Sequence, residues 1–366
     1  MLPDLALELR RIGIDAGLDA VGVAPAEPFV ATRRHLIERK AAGLHGGMHF
    51  TYGNPERSTD PNAALPGARA LVVGARSYQL RPGPRPTTGP AGRVAAYSWR
   101  DHYADLREAL GRVADRLGQA GWQARVLADD NALVDREAAY RAGLGWYGKN
   151  TNLLLPERGS WFVLGSVVTD APLLPATPLE DSCGACSRCL PACPTGALVA
   201  PGVLDARRCL AHLVQAPGRF PPEFRESLGD RLYGCDDCQQ ACPVNRAAEH
   251  RHPPPPARPS DEPDVAVLEV LAATDAELLA RFGRWYIPRR QPRYLRRNAL
   301  VVLGNVGDGS DPDVESALSR ALSDDDPLVR AHAAWAARRL GRTDLVRSLL
   351  ADERDPEVLA ELGAGG

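Results

Sequence analysis

An α+β protein in successive parts is the architecture the sequence predicts: an α/β-layered N-terminal domain, a small cysteine-rich module and a tail of α-helical repeats. Three observations predict it. Helical and strand periodicities interleave from residue 1 to about 175. Seven of the 8 cysteines fall into two short runs near the middle, each closed by proline. Beyond the spacer His252-Pro253-Pro254-Pro255-Pro256, similar helical segments recur at an offset of 34 residues. The segments expected are 1–177, 178–250, a Pro-rich and basic linker over 251–293, and 294–366.

In the first part, Leu5, Leu9, Ile12 and Ala16 recur at helical spacing, and Ala20–Ala24 reads as a short buried strand. Ala70–Ala75 is a β-rich run after the turn Leu65-Pro66-Gly67. Leu106, Leu110, Val113 and Leu117 mark one helix face, followed by strands over Trp122–Leu127 and Trp161–Val168. Residues 76–92, rich in Pro, Gly and Arg, read as an exposed loop. No glycine-rich nucleotide fingerprint has the right flanks, because Gly143-Leu144-Gly145 follows a helical stretch rather than a strand.

The cysteines carry the chemistry. Cys183, Cys186, Cys189 and Cys193-Pro194 have the spacing C-x2-C-x2-C-x3-C-P of bacterial ferredoxins, in which three thiolates hold one 4Fe–4S cluster and the fourth crosses to its neighbour. Cys235, Cys238 and Cys242-Pro243 repeat that rhythm, with Leu232 where a first cysteine would stand and Cys209 as the one thiol left to replace it. A ferredoxin-like module with two 4Fe–4S clusters follows: Cys183, Cys186, Cys189 and Cys242 on the first, Cys193, Cys209, Cys235 and Cys238 on the second. Structural zinc would favour paired knuckles with longer spacers, and disulfides would need an exporting signal. Arg10-Arg11 is followed by Ile12-Gly13-Ile14-Asp15 without an apolar stretch, which points away from export and towards the cytoplasm. No apolar run nears the roughly 20 residues that span a bilayer.

A net charge of −2 is not that of a chain built throughout to bind polyanions. Charge is nevertheless concentrated locally. Residues 281–297 (RFGRWYIPRRQPRYLRR) hold seven arginines, several aromatics and no acid. Arginine forks grip phosphates and aromatic rings stack on unpaired bases, so Arg289, Arg290, Arg293, Arg296 and Arg297 are candidate RNA contacts. A solvated face in an arginine-rich chain is the alternative, since Lys40 and Lys149 are the only lysines among 44 basic residues. Further on, 295–308 resembles 329–342, and Asp324-Asp325-Asp326-Pro327 and Glu353-Arg354-Asp355-Pro356 repeat a helix-start signature, suggesting HEAT-like repeats.

Several blocks together carry a more specific likeness. They are PERSTDP at 55–61 with LPGAR at 65–69, DDNALVDREAAYRAGLGWYGKN at 129–150, GSWF at 159–162, SCGACSRCLPACPTGAL, and LYGCDDCQQACP at 232–243. With these, the chain resembles the epoxyqueuosine reductase family over nearly its whole length. The resemblance implies a cobalamin-dependent enzyme with two 4Fe–4S clusters. Such an enzyme reduces epoxyqueuosine to queuosine at the wobble position of GUN-anticodon transfer RNAs, those for aspartate, asparagine, histidine and tyrosine. It implies a low-potential electron donor and a monomer without membrane attachment. Asp129 matches the family's proton donor, six residues before Asp135-Arg136; Asp130 is its neighbouring rival, and a helix N-cap is the ordinary structural role for such an aspartate. Arg57, Tyr97, Asp129, Leu153, Ser160 and Ala211 match cobalamin-lining segments. Lys149 could meet a phosphate or an amide, or serve structurally. Two departures stand out: Asp101-His102-Tyr103 where the family has Asp-Tyr-His, and Ser166 where Glu is common. Competing readings are a corrinoid reductase of the dehalogenase type acting on a small molecule, and an electron-transfer scaffold without catalysis.

Overall fold

The computed structural model of the protein describes residues 2–84, 89–180, 183–350 and 353–363. It divides into two compact units, each assembled from three chain segments: Met1–Arg81, Asp101–Arg207 and Asp237–Pro256 form the first, and Pro82–Arg100, Arg208–Asp236 and Ala257–Gly366 the second. Among the described residues no helix is long and apolar enough to cross a membrane.

The first unit is built on a four-stranded sheet. Its elements are α1 (Pro3–Asp15), β1 (Ala20–Pro25), β2 (Ala70–Ser77), α2 (His102–Gln119), β3 (Ala124–Ala128), α3 (Asp135–Arg141), β4 (Trp146–Tyr147), β5 (Leu153–Leu154) and β6 (Phe162–Thr169). The sheet order is β1-β2-β6-β3 with every neighbour antiparallel, so the unit is α+β. Both faces are covered, which is why β2 and β6 read as unbroken apolar runs rather than alternating ones. On one face Gly74 and Gly165 lie directly opposite each other. A Cβ at either would come within 3.0 Å of Leu110, so the paired glycines make the groove into which α2 sets its apolar stripe. On the other face Leu71, Val73, Ala75, Leu127, Leu164 and Val168 pack with Ala138 and Ala139 of α3. Ser166 is buried on this second face too.

The second unit has a three-stranded sheet with Ala91–Val94 in the centre, parallel to Arg231–Tyr233 and antiparallel to Asp264–Ala266. The stretch read as one exposed loop over 76–92 is therefore shorter: Arg76 and Ser77 end β2 and Ala91 and Gly92 open the central strand, while 85–88 lie outside the described residues. Leu232 is a core residue of this sheet, seated against Gly92, where a Cβ would approach it to 2.6 Å.

The helical repeats are α4 (Arg293–Val306), α5 (Pro312–Leu322), α6 (Pro327–Arg339), α7 (Thr343–Leu350) and α8 (Pro356–Gly363). The matching segments at offset 34 fall on α4 and α6, which pack on each other, with Gly304 of α4 meeting Trp335 of α6. Asp326 and Asp355 do start helices: each carboxylate accepts from backbone N–H groups in the first turn, and proline occupies the first helical position. Asp311-Pro312 does the same for α5.

The last helix is anchored by a buried ion pair. Arg225 is fully enclosed, donates in bidentate fashion to Glu361 at 3.0 and 2.7 Å, and is shared in that role with Arg219. Truncating one partner strands the other charge in the core, which costs about 3–5 kcal/mol. Glu361→Ala is expected to lower stability by that amount in urea unfolding of the repeat region. A loss under about 1 kcal/mol would show that water reaches the site.

Candidate functional site

The first predicted thiol set is assembled within the first unit. Burial pushes the Cys189 thiol up, and Cys242, Cys183 and Cys186 add repulsion, so all four sulfurs share one neighbourhood. Cys242 is buried with Trp146 and Leu154, and Cys183 packs against them. Soft sulfur donors, three from a single loop and one from a distant proline-closed turn, are the donor type that suits an iron–sulfur cluster. Among the described residues all eight cysteines are free of disulfides. Of the second set, Cys193 and Cys238 belong to the first unit and Cys209 and Cys235 to the second. Cys193 Sγ accepts from Ala197 N at 3.2 Å.

The block ending in GWYGKN holds these loops. Lys149 Nζ donates to Gly184 O at 2.6 Å, inside the first cysteine run, and Asn150 Nδ2 donates to Cys238 O at 3.4 Å, inside the second. Lys149 thus has a backbone carbonyl as its partner. Ser160, placed by the sequence at the corrinoid, is enclosed: its hydroxyl donates to Gln239 at 2.9 Å and accepts from Asn245 Nδ2 at 3.0 Å. Gln239 and Asn245 flank Cys242, so this buried network supports the second cysteine run. Neither residue was singled out from sequence, because isolated amides carry no spacing signal.

Asp129 stands just past the end of β3 with φ +54, in the left-handed region that a non-glycine residue enters only at a cost. The helix-cap role does not apply, since Val134 precedes α3 and offers no side-chain cap. Asp130 makes the local turn instead, accepting from Ala132 N at 2.8 Å. The Asp129 carboxyl makes no hydrogen bond or ion pair among the described residues. Partial exclusion of water raises its pKa; Arg107 opposes the rise, while Asp101 and Asp130 reinforce it. Asp135, one turn onward, is pushed well above the usual carboxylate range by burial and by Asp129, and its Oδ1 is buried without a partner. Ser58 O accepts from Val134 N at 3.0 Å, which brings Arg57, exposed and unpaired among the described residues, to this loop. Leu153 packs in the apolar cluster with Leu133, close to the same loop. An exposed, unpaired guanidinium offers donors to an amide-rimmed macrocycle such as a corrinoid. Asp101 caps α2, accepting from Ala104 N at 2.8 Å.

Tyr97 and Ala211 belong to the second unit. Tyr97 accepts from Gln215 Nε2 at 3.0 Å, and burial raises its pKa to about 12. Ala211 lies in the short helix Leu210–Leu213 that Cys209 opens.

The basic segment is mostly spent on the fold. Arg297 is a correction: it is 0% exposed and donates to the carbonyls of Leu213, Val214, Ala216 and Gly218, so it cannot reach RNA. Its task is to tie α4 to the turn that follows Cys209. Arg296 is corrected likewise, being 16% exposed and held by Asp275 and Ala273 O. Arg281 and Arg284 share Glu262. Acids elsewhere in the chain neutralise what looked like an uncompensated run. Arg289 and Arg290 are exposed, both at positive φ, with Arg290 donating to Gly283 O at 3.2 Å, and the ring of Tyr286 nearby in sequence is exposed as well. Arg293, half-buried, reaches Asp326 at 3.2 Å.

Comparison with known proteins agrees with this geometry. Residues 182–245, spanning all eight cysteines, match the family model of the 4Fe-4S double cluster binding domain, and residues 287–364 match that of HEAT repeats. Epoxyqueuosine reductases are similar over almost the entire length. The Bacillus subtilis protein is 35% identical, covering 98% of this chain and 94% of its own, and that of Xanthomonas campestris is 38% identical, covering 92% and 97%. A crystal structure of epoxyqueuosine reductase with an epoxyqueuosine-modified tyrosine transfer RNA stem loop superposes with TM-score 0.88 at 33% identity, covering 98% of this chain and 96% of that one. Another, from Bacillus subtilis with its catalytic aspartate loop swung out of the active site, superposes at 0.87 with 32% identity, covering 98% and 97%. The chain belongs to the epoxyqueuosine reductase family, a family of oxidoreductases.

Proposed function

We propose that this protein reduces epoxyqueuosine to queuosine at the wobble position of transfer RNA. The observation that carries the reading is Asp129. It is a carboxyl without a protein partner, held on a left-handed bend and kept easier to protonate than an ordinary aspartate. It sits in a chain whose relatives act on that substrate, one of them with a catalytic aspartate on a loop. Clusters and cobalamin, when bound, supply single electrons and a reactive reduced metal, the chemistry no side chain offers. Cys183, Cys186, Cys189 and Cys242 would hold one cluster, and Cys193, Cys209, Cys235 and Cys238 the other.

What the chain itself contributes is a proton and a grip. Opening a three-membered ring leaves an oxygen that must be protonated, and Asp129 is the acid for it. Asp135, six residues on, is pushed up in turn, by burial first and by the charge of Asp129. Arg57 would hold the amide rim of the corrinoid. Arg289, Arg290 and Arg293, with Tyr286, would engage the RNA backbone and an unpaired base.

Because the Asp129 pKa lies above its ordinary value, its acid form persists to higher pH. The single-turnover rate is then expected to fall as pH rises through that value. Asp129→Asn should retain iron and RNA affinity, lose this pH dependence, and react roughly 10²–10⁴-fold more slowly on epoxyqueuosine-containing stem-loop RNA. Unimpaired turnover in the variant would sink the assignment.

Replacing Arg289, Arg290 and Arg293 by Ala is expected to weaken RNA binding. The slope of log affinity against log salt should become shallower by roughly 0.7–0.9 for each phosphate that the protein no longer neutralises. An unchanged slope, measured by fluorescence anisotropy, would place the RNA elsewhere.

A further inference from the structure

Trp146 is 6% exposed and its indole N–H is buried without a hydrogen-bond partner. Two other buried tryptophans are paired, Trp99 donating to Val94 O at 2.8 Å and Trp285 to Ser98 O at 3.0 Å, whereas Trp161, like Trp146, has no partner among the described residues. Leaving a buried donor unpaired costs about 1–3 kcal/mol, so a native protein supplies an acceptor. The neighbours of this ring are Leu154, Cys242, Cys183 and Val244, which are aliphatic carbon and sulfur.

Position leaves the ring little choice of surroundings. Trp146 lies in β4, paired with Leu154 of β5, and the preceding residue must be glycine, because a Cβ at Gly145 would fall 2.2 Å from Leu154 O. At the other end of the same segment, Lys149 is bonded to Gly184 O and Asn150 to Cys238 O. The hairpin is thus fastened to both cysteine loops, with the indole against two thiols of the first set. Among the side chains of this cluster, sulfur is the acceptor on offer.

We propose that the Trp146 indole N–H donates a hydrogen bond to a sulfur of the first cluster, a ligand thiolate or an inorganic sulfide, and thereby raises that cluster's reduction potential. The inference rests on the reading of Cys183, Cys186, Cys189 and Cys242 as one cluster site. Reduction adds negative charge to the cluster, and a donor aimed at sulfur stabilises the reduced form more than the oxidised one. Trp146 is then a positioning and tuning residue rather than a catalytic one.

The test uses the whole chain, reconstituted anaerobically, with iron and sulfide quantified and both clusters followed by EPR during redox titration. Trp146→Phe keeps the ring packing and removes the donor. It should load both clusters, leave one midpoint unchanged and shift the other to lower potential. At the wild-type midpoint of the shifted cluster, the reduced-to-oxidised ratio should fall about tenfold, equivalent to about 59 mV for one electron. A fully loaded variant with both midpoints unmoved overturns the proposal while leaving the clusters standing. Should the variant fail to assemble, wild-type protein labelled with ¹⁵N-tryptophan decides. An indole ¹⁵N coupling to a reduced cluster supports the bond, and its absence from pulsed EPR spectra refutes it. Iron-free wild-type protein after reconstitution would remove the cluster reading and this inference with it.

Discussion

Gathering four thiols at one point works against their own electrostatics. Loss of water and the neighbouring cysteines push the Cys189 thiol up. The first unit meets this constraint with a scaffold that does not depend on the sulfurs. Lys149 and Asn150 reach the cysteine loops from the β4–β5 hairpin, and Ser160, Gln239 and Asn245 close a buried network under the second run. Each of these bonds goes to backbone or to a neutral amide rather than to a cysteine sulfur. Such supporting bonds matter as much as the ligands, because they set orientation before the metal arrives.

The four-stranded sheet of the first unit, separate from the β4–β5 hairpin, positions the acid. Asp129 follows β3 directly, and α3, seven residues long, begins after a turn made by Asp130. The positive φ at Asp129 is a small local strain, of the kind that persists where surrounding structure over-determines the backbone. Val134, bonded to Ser58 O, and Leu133, packed in the apolar cluster, are what hold it. Asp135, six residues on, is raised too, by burial and by the charge of Asp129.

In the second unit, arginine takes on structural work. Arg297 is buried without a carboxylate, its charge spread over backbone carbonyls and Asn298, and burial lowers its pKa to about 9. Arg225 solves the same problem with Glu361. His332 accepts from Phe220 N at 3.1 Å and stays neutral because burial and the nearby arginines disfavour a further positive charge. Guanidinium geometry suits this role, since five fixed donors can satisfy several carbonyls at once.

Short-range chemistry was legible in the residues alone. The cysteine spacing, the Asp-Pro helix starts, the helical stripe of α2 and the apolar runs of β1, β2 and β6 all express local geometry, and local geometry is written in adjacent residues. Only the tertiary structure decided which arginines are free. The acids that neutralise 281–297 all lie outside it, at Glu262, Glu269, Asp275 and Asp326. It also decided that Leu232 is core, that Asp130 rather than Asp129 makes the turn, and that Trp146 meets two cysteines. Burial and pairing are long-range properties, set by what the rest of the chain brings to a side chain, and no spacing rule carries that information.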